Sequence, residues 1–200
     1  TGVLSGLHGS NGAGAGDGSA GDNDMDDNMD PVDPAAKLYA TPELAEVGRA
    51  FRSCPPVELT ESETEYVVKC VKHIMDSYVV LQFDVTNTIA EQKLVDVTVG
   101  LEGNEPGLYG EEPVLEVPCK ELKYGVPGST FVVLPRNPDA PIVPASFTCE
   151  LRFNVLEVDP DSGEVEGDEE GFVDNYPLEE LDIAPADFMA KVSLGDFRRA

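Results

Sequence analysis

Three stretches of the chain alternate apolar and polar residues with a period of two. VVLQFDVT places Val79, Leu81, Phe83 and Val85 on one face and Gln82, Asp84 and Thr86 on the other. KLVDVTVGL does the same with Val95, Val97, Val99 and Leu101, and FTCELRFNV with Phe147, Cys149, Leu151, Phe153 and Val155. That period marks strands buried on one side only. Weaker strand candidates lie at residues 66–74, 114–117, 130–134 and 178–183, separated by NTIAEQ, YGVPGS, PRNPDAPIVP and DPDSGE, all rich in turn formers. Seven short strands without helical stretches between them predict two antiparallel sheets packed face to face, an all-β, immunoglobulin-like antiparallel β-sandwich. The chain has no Trp, so the buried Trp of antibody domains has no counterpart.

The same pattern sets the domain limits. Residues 1–36 hold seven Asp, no Lys or Arg, and almost no large apolar side chains. Such a segment buries too little to offset roughly 1–2 kcal/mol of ordering entropy per residue, so it is expected to be a disordered, acidic, Gly/Asp-rich hinge. A Gly-rich coil of this length has a root-mean-square reach of roughly 30–36 Å. Residues 37–56 read as a linker with a short helix: Thr41 suits the N-cap, Pro42 the first helical position and Glu43 the positive helix end, with Leu44, Val47 and Phe51 on one face. SCPP ends it. The sandwich is expected over residues 57–186, a span long enough for one core.

Charge narrows the function classes. Against 39 Asp+Glu stand 13 Lys+Arg, a formal net charge of −26. A surface of that sign repels phosphate, so nucleic acid and anionic lipid are poor partners and basic protein segments are good ones. No stretch is apolar for long enough to span a bilayer, TGVLSGLHGS is no signal sequence, and the chain opens on Thr1, as a piece of a longer protein would. Cys54, Cys70, Cys119 and Cys149 stand 16, 49 and 30 positions apart with no CxxC pair, which disfavours zinc, and their apolar settings predict free thiols. Without an Asn-x-Ser/Thr acceptor the chain reads as cytosolic.

No constellation for catalysis is apparent. His8 lies in the hinge, and His73 is expected to be an ordinary solvent-facing or strand-edge residue, with no GxSxG to supply a nucleophile. The hinge glycines precede no GK[ST], so no phosphate cradle is expected. In DPDSGEVEGDEE, Asp159, Asp161 and Glu170 fall at calcium-loop positions 1, 3 and 12, but position 6 is Glu164 instead of Gly, so the stretch is expected to be a loop turning at Asp-Ser-Gly. Residues 157–182 carry twelve Asp+Glu, and no basic residue occurs between Arg152 and Lys191. This acidic loop is either a solubilising surface or a docking patch for basic segments, with Phe172 and Tyr176 as anchors for a partner or pins to the sandwich. No catalytic, cofactor or metal residues are assigned, and partner-binding residues are not singled out.

The run PPVELTESETEYVVKCVKHI, the strand and turn VVLQFDVTNTIAEQ, and the tail DPDSGEVEGDEEGFVDNYPLEELDIAPADFMAKV together resemble the appendage (ear) region of coatomer gamma subunits. The likeness is colinear over residues 38–197, and ELTESETEYVV is its most diagnostic piece. It implies a non-enzymatic subunit of the COPI vesicle coat, acting in Golgi-to-endoplasmic-reticulum retrograde and intra-Golgi protein transport, cytoplasmic and peripheral on Golgi membranes and COPI-coated vesicles. By the same resemblance, residues 187–200 begin a platform subdomain that recruits an Arf GTPase-activating protein and other coat accessory proteins. A trunk outside this chain would contact the other coatomer subunits, and membrane association would be indirect, through the coat. From charge and shape alone, an acidic chaperone or interaction module for basic proteins is the alternative, and a disulfide-bonded extracellular adhesion module is a further one.

Overall fold

In the computed structural model, residues 33–103, 108–110, 112–168 and 170–189 are described. The expected hinge therefore lies outside the described residues, except for its last four positions. The chain runs α1 (Ala36–Ala40), a 3-10 turn (Pro42–Leu44), then β1 (Arg52–Ser53), β2 (Val57–Glu58), β3 (Tyr66–Ile74), β4 (Tyr78–Asn87), β5 (Gln92–Gly103) and β6 (Leu115–Val117). It continues through β7 (Cys119–Leu122), β8 (Gly128–Pro135), β9 (Ala145–Glu157), β10 (Phe172–Pro177) and β11 (Leu181–Ile183) to a second 3-10 turn (Pro185–Phe188).

These strands form the β-sandwich that the alternation predicts. The first sheet has the order β1-β3-β4-β8-β6, with β2 also on β3; the second has the order β10-β9-β5-β7, with β11 also on β9. Every strand pair is antiparallel. Val79, Leu81, Phe83 and Val85 of β4 meet Cys149, Leu151, Phe153 and Val155 of β9 in one buried core between the sheets. Fully burying such side chains stabilises by about 1.5–3 kcal/mol each, so these two rows dominate the fold's stability.

All seven expected strands are present. Those not foreseen are β1, β2, β7 and β10, all on sheet edges: the first three have only two to four residues, and β10 is exposed along nearly its whole length, so none shows an alternation.

β5 departs from its simple alternation. Leu94, Val97 and Val99 point into the core, while Val95 is turned to the outer face. A bulge causes this: Val95 pairs with Asn154 and Thr98 with Arg152, so Asp96 and Val97 together oppose Phe153. Asp96 absorbs the kink at φ 53°, in the left-handed region that Asp tolerates better than most residues.

The stretch expected as a linker is instead a strap across the outside of the first sheet. Leu38 and Leu44, with Ala35, pack on Met75, Val80, Phe131 and Val133 in a second buried cluster. The expected helix over Leu44, Val47 and Phe51 does not form. Thr41 is extended, its Oγ1 donates back to the Lys37 carbonyl at 2.9 Å, and only a three-residue turn follows. Gly48, at φ 90°, redirects the chain, and Phe51 is left 62% exposed. Leu38 reaches the sheet face from α1 and Leu44 from the 3-10 turn, so the two leucines are delivered by separate short turns instead of by one helix starting at Thr41. The Lys37 ammonium, 2.8 Å from the Asp84 carboxylate, ties the strap down.

Candidate interaction surface

Under the strap lies a row of polar side chains that organises His73. β3 pairs with β1 on one side and β4 on the other, so His73 is interior to the sheet and fully buried, not solvent-facing or on a strand edge. The strap supplies the cover that the sequence pattern hides. Ser53 Oγ donates to His73 Nδ1 at 2.8 Å, and His73 Nε2 donates to Gln82 Oε1 at 3.2 Å. Gln82 Nε2 in turn donates to both carboxylate oxygens of Asp84 at 3.0 and 3.1 Å, where Ser129 Oγ also donates at 2.7 Å. The donors run in one direction from Ser53 to Asp84, which assigns the neutral Nε2–H tautomer. Burial pulls the His73 pKa below its ordinary 6.5, against the Gln82 hydrogen bond and the nearby Asp33 and Asp84. A sealed, neutral imidazole spent on both sides fixes the strap's base.

Two carboxylates of the DPDSGEVEGDEE stretch, those of Asp159 and Asp168, are spent on its own backbone. Asp159 Oδ1 accepts from the Asp161 and Ser162 amides at 3.0 and 2.7 Å, which holds its pKa below the usual carboxylate value. The Gly163 amide donates to the Asp159 carbonyl at 2.7 Å, closing the turn at Asp-Ser-Gly. Asp168 Oδ1 accepts from the Glu170 amide at 3.0 Å. Among the described residues, no three His, Cys, Asp or Glu side chains gather as a metal-binding group.

Phe172 and Tyr176, both on β10, part company. Tyr176 stacks edge-on against Tyr66, with ring centroids 5.3 Å apart, and Tyr66 does the same to Phe153 at 4.9 Å. That ring pins the strand. Phe172 stays 51% exposed and its neighbour Val173 82% exposed, on the outermost strand of the second sheet.

Opposite charges converge on the inward face of the same, C-terminal end of β3. Lys72 lies on the inward row with Val68, Cys70 and Ile74, only 6% exposed. Its Nζ donates to Asp187 Oδ2 at 2.6 Å and to the Asp182 carbonyl at 2.8 Å. Burial would raise the Asp187 pKa, but the Lys72 ammonium and the Ala184 amide, 2.9 Å away, outweigh it and hold the pKa below normal. Beside them, burial and the Asp187 charge push the Cys54 thiol up to about 11. Arg52 donates to the Ala186 carbonyl at 2.6 Å and to the Met189 carbonyl, and the Arg136 guanidinium lies 4.9 Å above the Phe188 ring. Three basic residues thus grip residues 185–189, a clamp that no sequence motif announces.

Comparison with known proteins identifies the family. The family model described as "Coatomer gamma subunit appendage platform subdomain" matches residues 32–184. The chain belongs to the coatomer gamma appendage family. Coatomer subunit gamma-1 from Oryza sativa subsp. japonica is 43% identical over 170 residues, covering 84% of this chain and 19% of the relative. Coatomer subunit gamma-1 from Rattus norvegicus is 43% identical over 167 residues, covering 82% of this chain and 18% of the relative. The chain therefore spans under a fifth of the coatomer gamma relatives it matches. Among solved structures, the GAE domain of GGA2p from Saccharomyces cerevisiae covers 62% of this chain and 97% of its own, at 10% identity and a TM-score of 0.38. The matched coatomer gamma span takes in both the strap and the sandwich. The description gives them the platform name that the resemblance reserves for residues 187–200.

Proposed function

We propose that this chain is the non-enzymatic mount of a COPI coat appendage: a sandwich that holds a downstream accessory-binding module at a fixed orientation, at the end of a hinge. The observation that carries this reading is the clamp. Lys72 and Arg52 fasten residues 182–189 to the sandwich through polar contacts of 2.6–2.8 Å, and Arg136 adds a 4.9 Å cation–ring contact on Phe188, so whatever follows leaves from a fixed point. A buried, hydrogen-bonded ion pair is a rigid joint because each partner left alone would be a stranded charge. The hinge adds reach, and many weak appendage contacts on one coated membrane then sum through multivalency.

In this reading the protein works on the cytoplasmic side, peripheral on Golgi membranes and COPI-coated vesicles, in Golgi-to-endoplasmic-reticulum and intra-Golgi transport. Partners are an Arf GTPase-activating protein and other accessory proteins through the downstream module, and the remaining coatomer subunits through a trunk. The test is a cytosol pull-down comparing this chain with a version extended to the length of its relatives. Capture of the Arf GTPase-activating protein by the extended version alone is expected, reduced several-fold by Asp187→Ala. Equal capture by the 200-residue chain would overturn the mount reading.

A further inference from the structure

We infer that the outer edge of β10, which no described strand pairs, is a docking strand for an extended, basic segment of another protein, which adds to the second sheet as its next strand. The hydrogen-bond parity of β10 defines what that edge offers. Leu178 donates to the Cys149 carbonyl at 3.0 Å, and the register runs Tyr176 opposite Leu151 and Asp174 opposite Phe153, so even-numbered residues bond to β9. The amides and carbonyls of Val173 and Asn175 therefore face away from the sheet. The Asn175 amide confirms the direction, because it donates to its own neighbour's carboxylate, Asp174 Oδ1, at 2.8 Å. Asp174 sits where the carbonyl of an added strand would sit, and a lysine on that strand would meet the displaced carboxylate.

The other edges of the sandwich are guarded in ways this one is not. β1 and β2 have two residues each, with Pro55 and Pro56 between them, and β6 has three between Pro113 and Pro118. β7 carries Lys120, with Lys123 just beyond it. Beside β10, the carbonyl of Asp182 in β11 is already taken by Lys72. Short strands, Pro and Lys are the devices that keep edges from pairing. β10 has six residues, no Lys, and no Pro before its last position, and it presents Val173 82% exposed. Such an edge invites strand addition.

Charge selects the occupant. Asp168, Glu170 and Asp174 lie along or just before the strand, and no basic residue occurs between Arg152 and Lys191. Arg152 itself is paired to Glu150 at 2.9 Å. At a net charge of −26, a second copy of the chain is the wrong partner for its own edge, whereas a strand alternating β-branched and basic residues matches both the backbone and the field.

The probe is a ten-residue peptide alternating Lys and Val, titrated into the 15N-labelled chain, with alternating Lys-Gly and Glu-Val peptides as controls. Amide shifts centred on Val173, Asp174 and Asn175 with the Lys-Val peptide, at least tenfold weaker with either control, are expected. Val173→Pro removes an outward amide and leaves the β9 ladder intact, and Val173→Lys adds a guard charge. Each should weaken the Lys-Val peptide at least fivefold while thermal melts show the fold retained. Equal binding of Lys-Gly peptide would reduce the surface to a diffuse negative field and overturn the proposal. So would shifts elsewhere, undiminished binding by both variants, or concentration-dependent self-association through this edge.

Discussion

Lys72 Nζ lies 2.6 Å from Asp187 Oδ2, with the two side chains only 8% and 14% exposed, so the shortest ion pair among the described residues joins the inward row of β3 to the 3-10 turn Pro185–Phe188. Removing one partner leaves the other as a buried or half-buried charge. Asp187→Ala is therefore expected to lower unfolding stability by about 3 kcal/mol, near the lower end for a broken buried pair. The double change Lys72→Met with Asp187→Leu should recover most of that loss, and urea denaturation of the four proteins closes the cycle. Asp187 is held below its ordinary 3.8, so its stabilisation is complete above that value and fades as pH falls through the lower folded value. Urea midpoints at acid pH should drop less steeply in Asp187→Asn than in the parent.

His73 acts with the same sign at a higher pH. Its fold-imposed neutrality means the unfolded chain takes up the proton first, so the contribution is full above 6.5 and declines as pH falls below it. Urea midpoints between pH 7.5 and 5.5 should fall in the parent and fall less in His73→Gln, which keeps hydrogen-bonding capacity without the titration. Parallel curves would show that the imidazole is not the group responsible.

Two glycines with positive φ separate strain from collision. Gly48, at φ 90°, has open space where a Cβ would stand, and Gly171, at φ 65°, would place it 2.2 Å from the Val155 carbonyl oxygen. Gly48→Ala should cost about 1 kcal/mol of backbone strain alone. Gly171→Ala should cost distinctly more, because the entry to β10 must move off β9. Thermal melts of the two variants rank them directly.

Thiol chemistry reports on the core. Cys54, Cys70 and Cys149 are buried, with burial pushing Cys149 up to about 12 and Cys54 to about 11, and half-buried Cys119 is raised as well. A thiol reagent at pH 8 should modify the native protein slowly, its first phase lost in Cys119→Ser, and should find four thiols once the chain is denatured. A count of zero without reductant would require two bridges and restore the adhesion-module reading.

The residues that announced themselves in the sequence are those whose partners impose a regular rhythm. β4 and β9 are central strands with one face on a shared core, so Val79 to Val85 and Phe147 to Val155 could be read directly. Val95 could not, because a single residue, Asp96, takes up a left-handed conformation and resets the face for the rest of β5. The strap was misread for a different reason. Leu38 and Leu44 answer to Val80, Phe131 and Val133, residues remote in the chain, and local helix signals around Thr41 gave way to that surface. The clamp is built from Arg52 of β1, Lys72 of β3 and Arg136 just after β8 on residues 182–189, with no spacing to betray it. At the edges, β7 is four residues long and β10 is exposed almost throughout, so neither alternates, and the surface now assigned to docking was visible only as acid and two aromatics.

The strap's landing surface also has a place in time. Leu38 and Leu44 leave the ribosome well before Phe131 and Val133 of β8, against which they finally rest. During synthesis these leucines have no native partner, and the Lys37–Asp84 tie cannot close until β4 has emerged. The first stretch of the folded unit to be made is thus among the last to dock, and the outer face of the first sheet stays open until β8 is in place. Anything that delays β8 would leave Met75 and Val80 uncovered beside the unpartnered leucines, and cellular chaperones would meet the protein at that face.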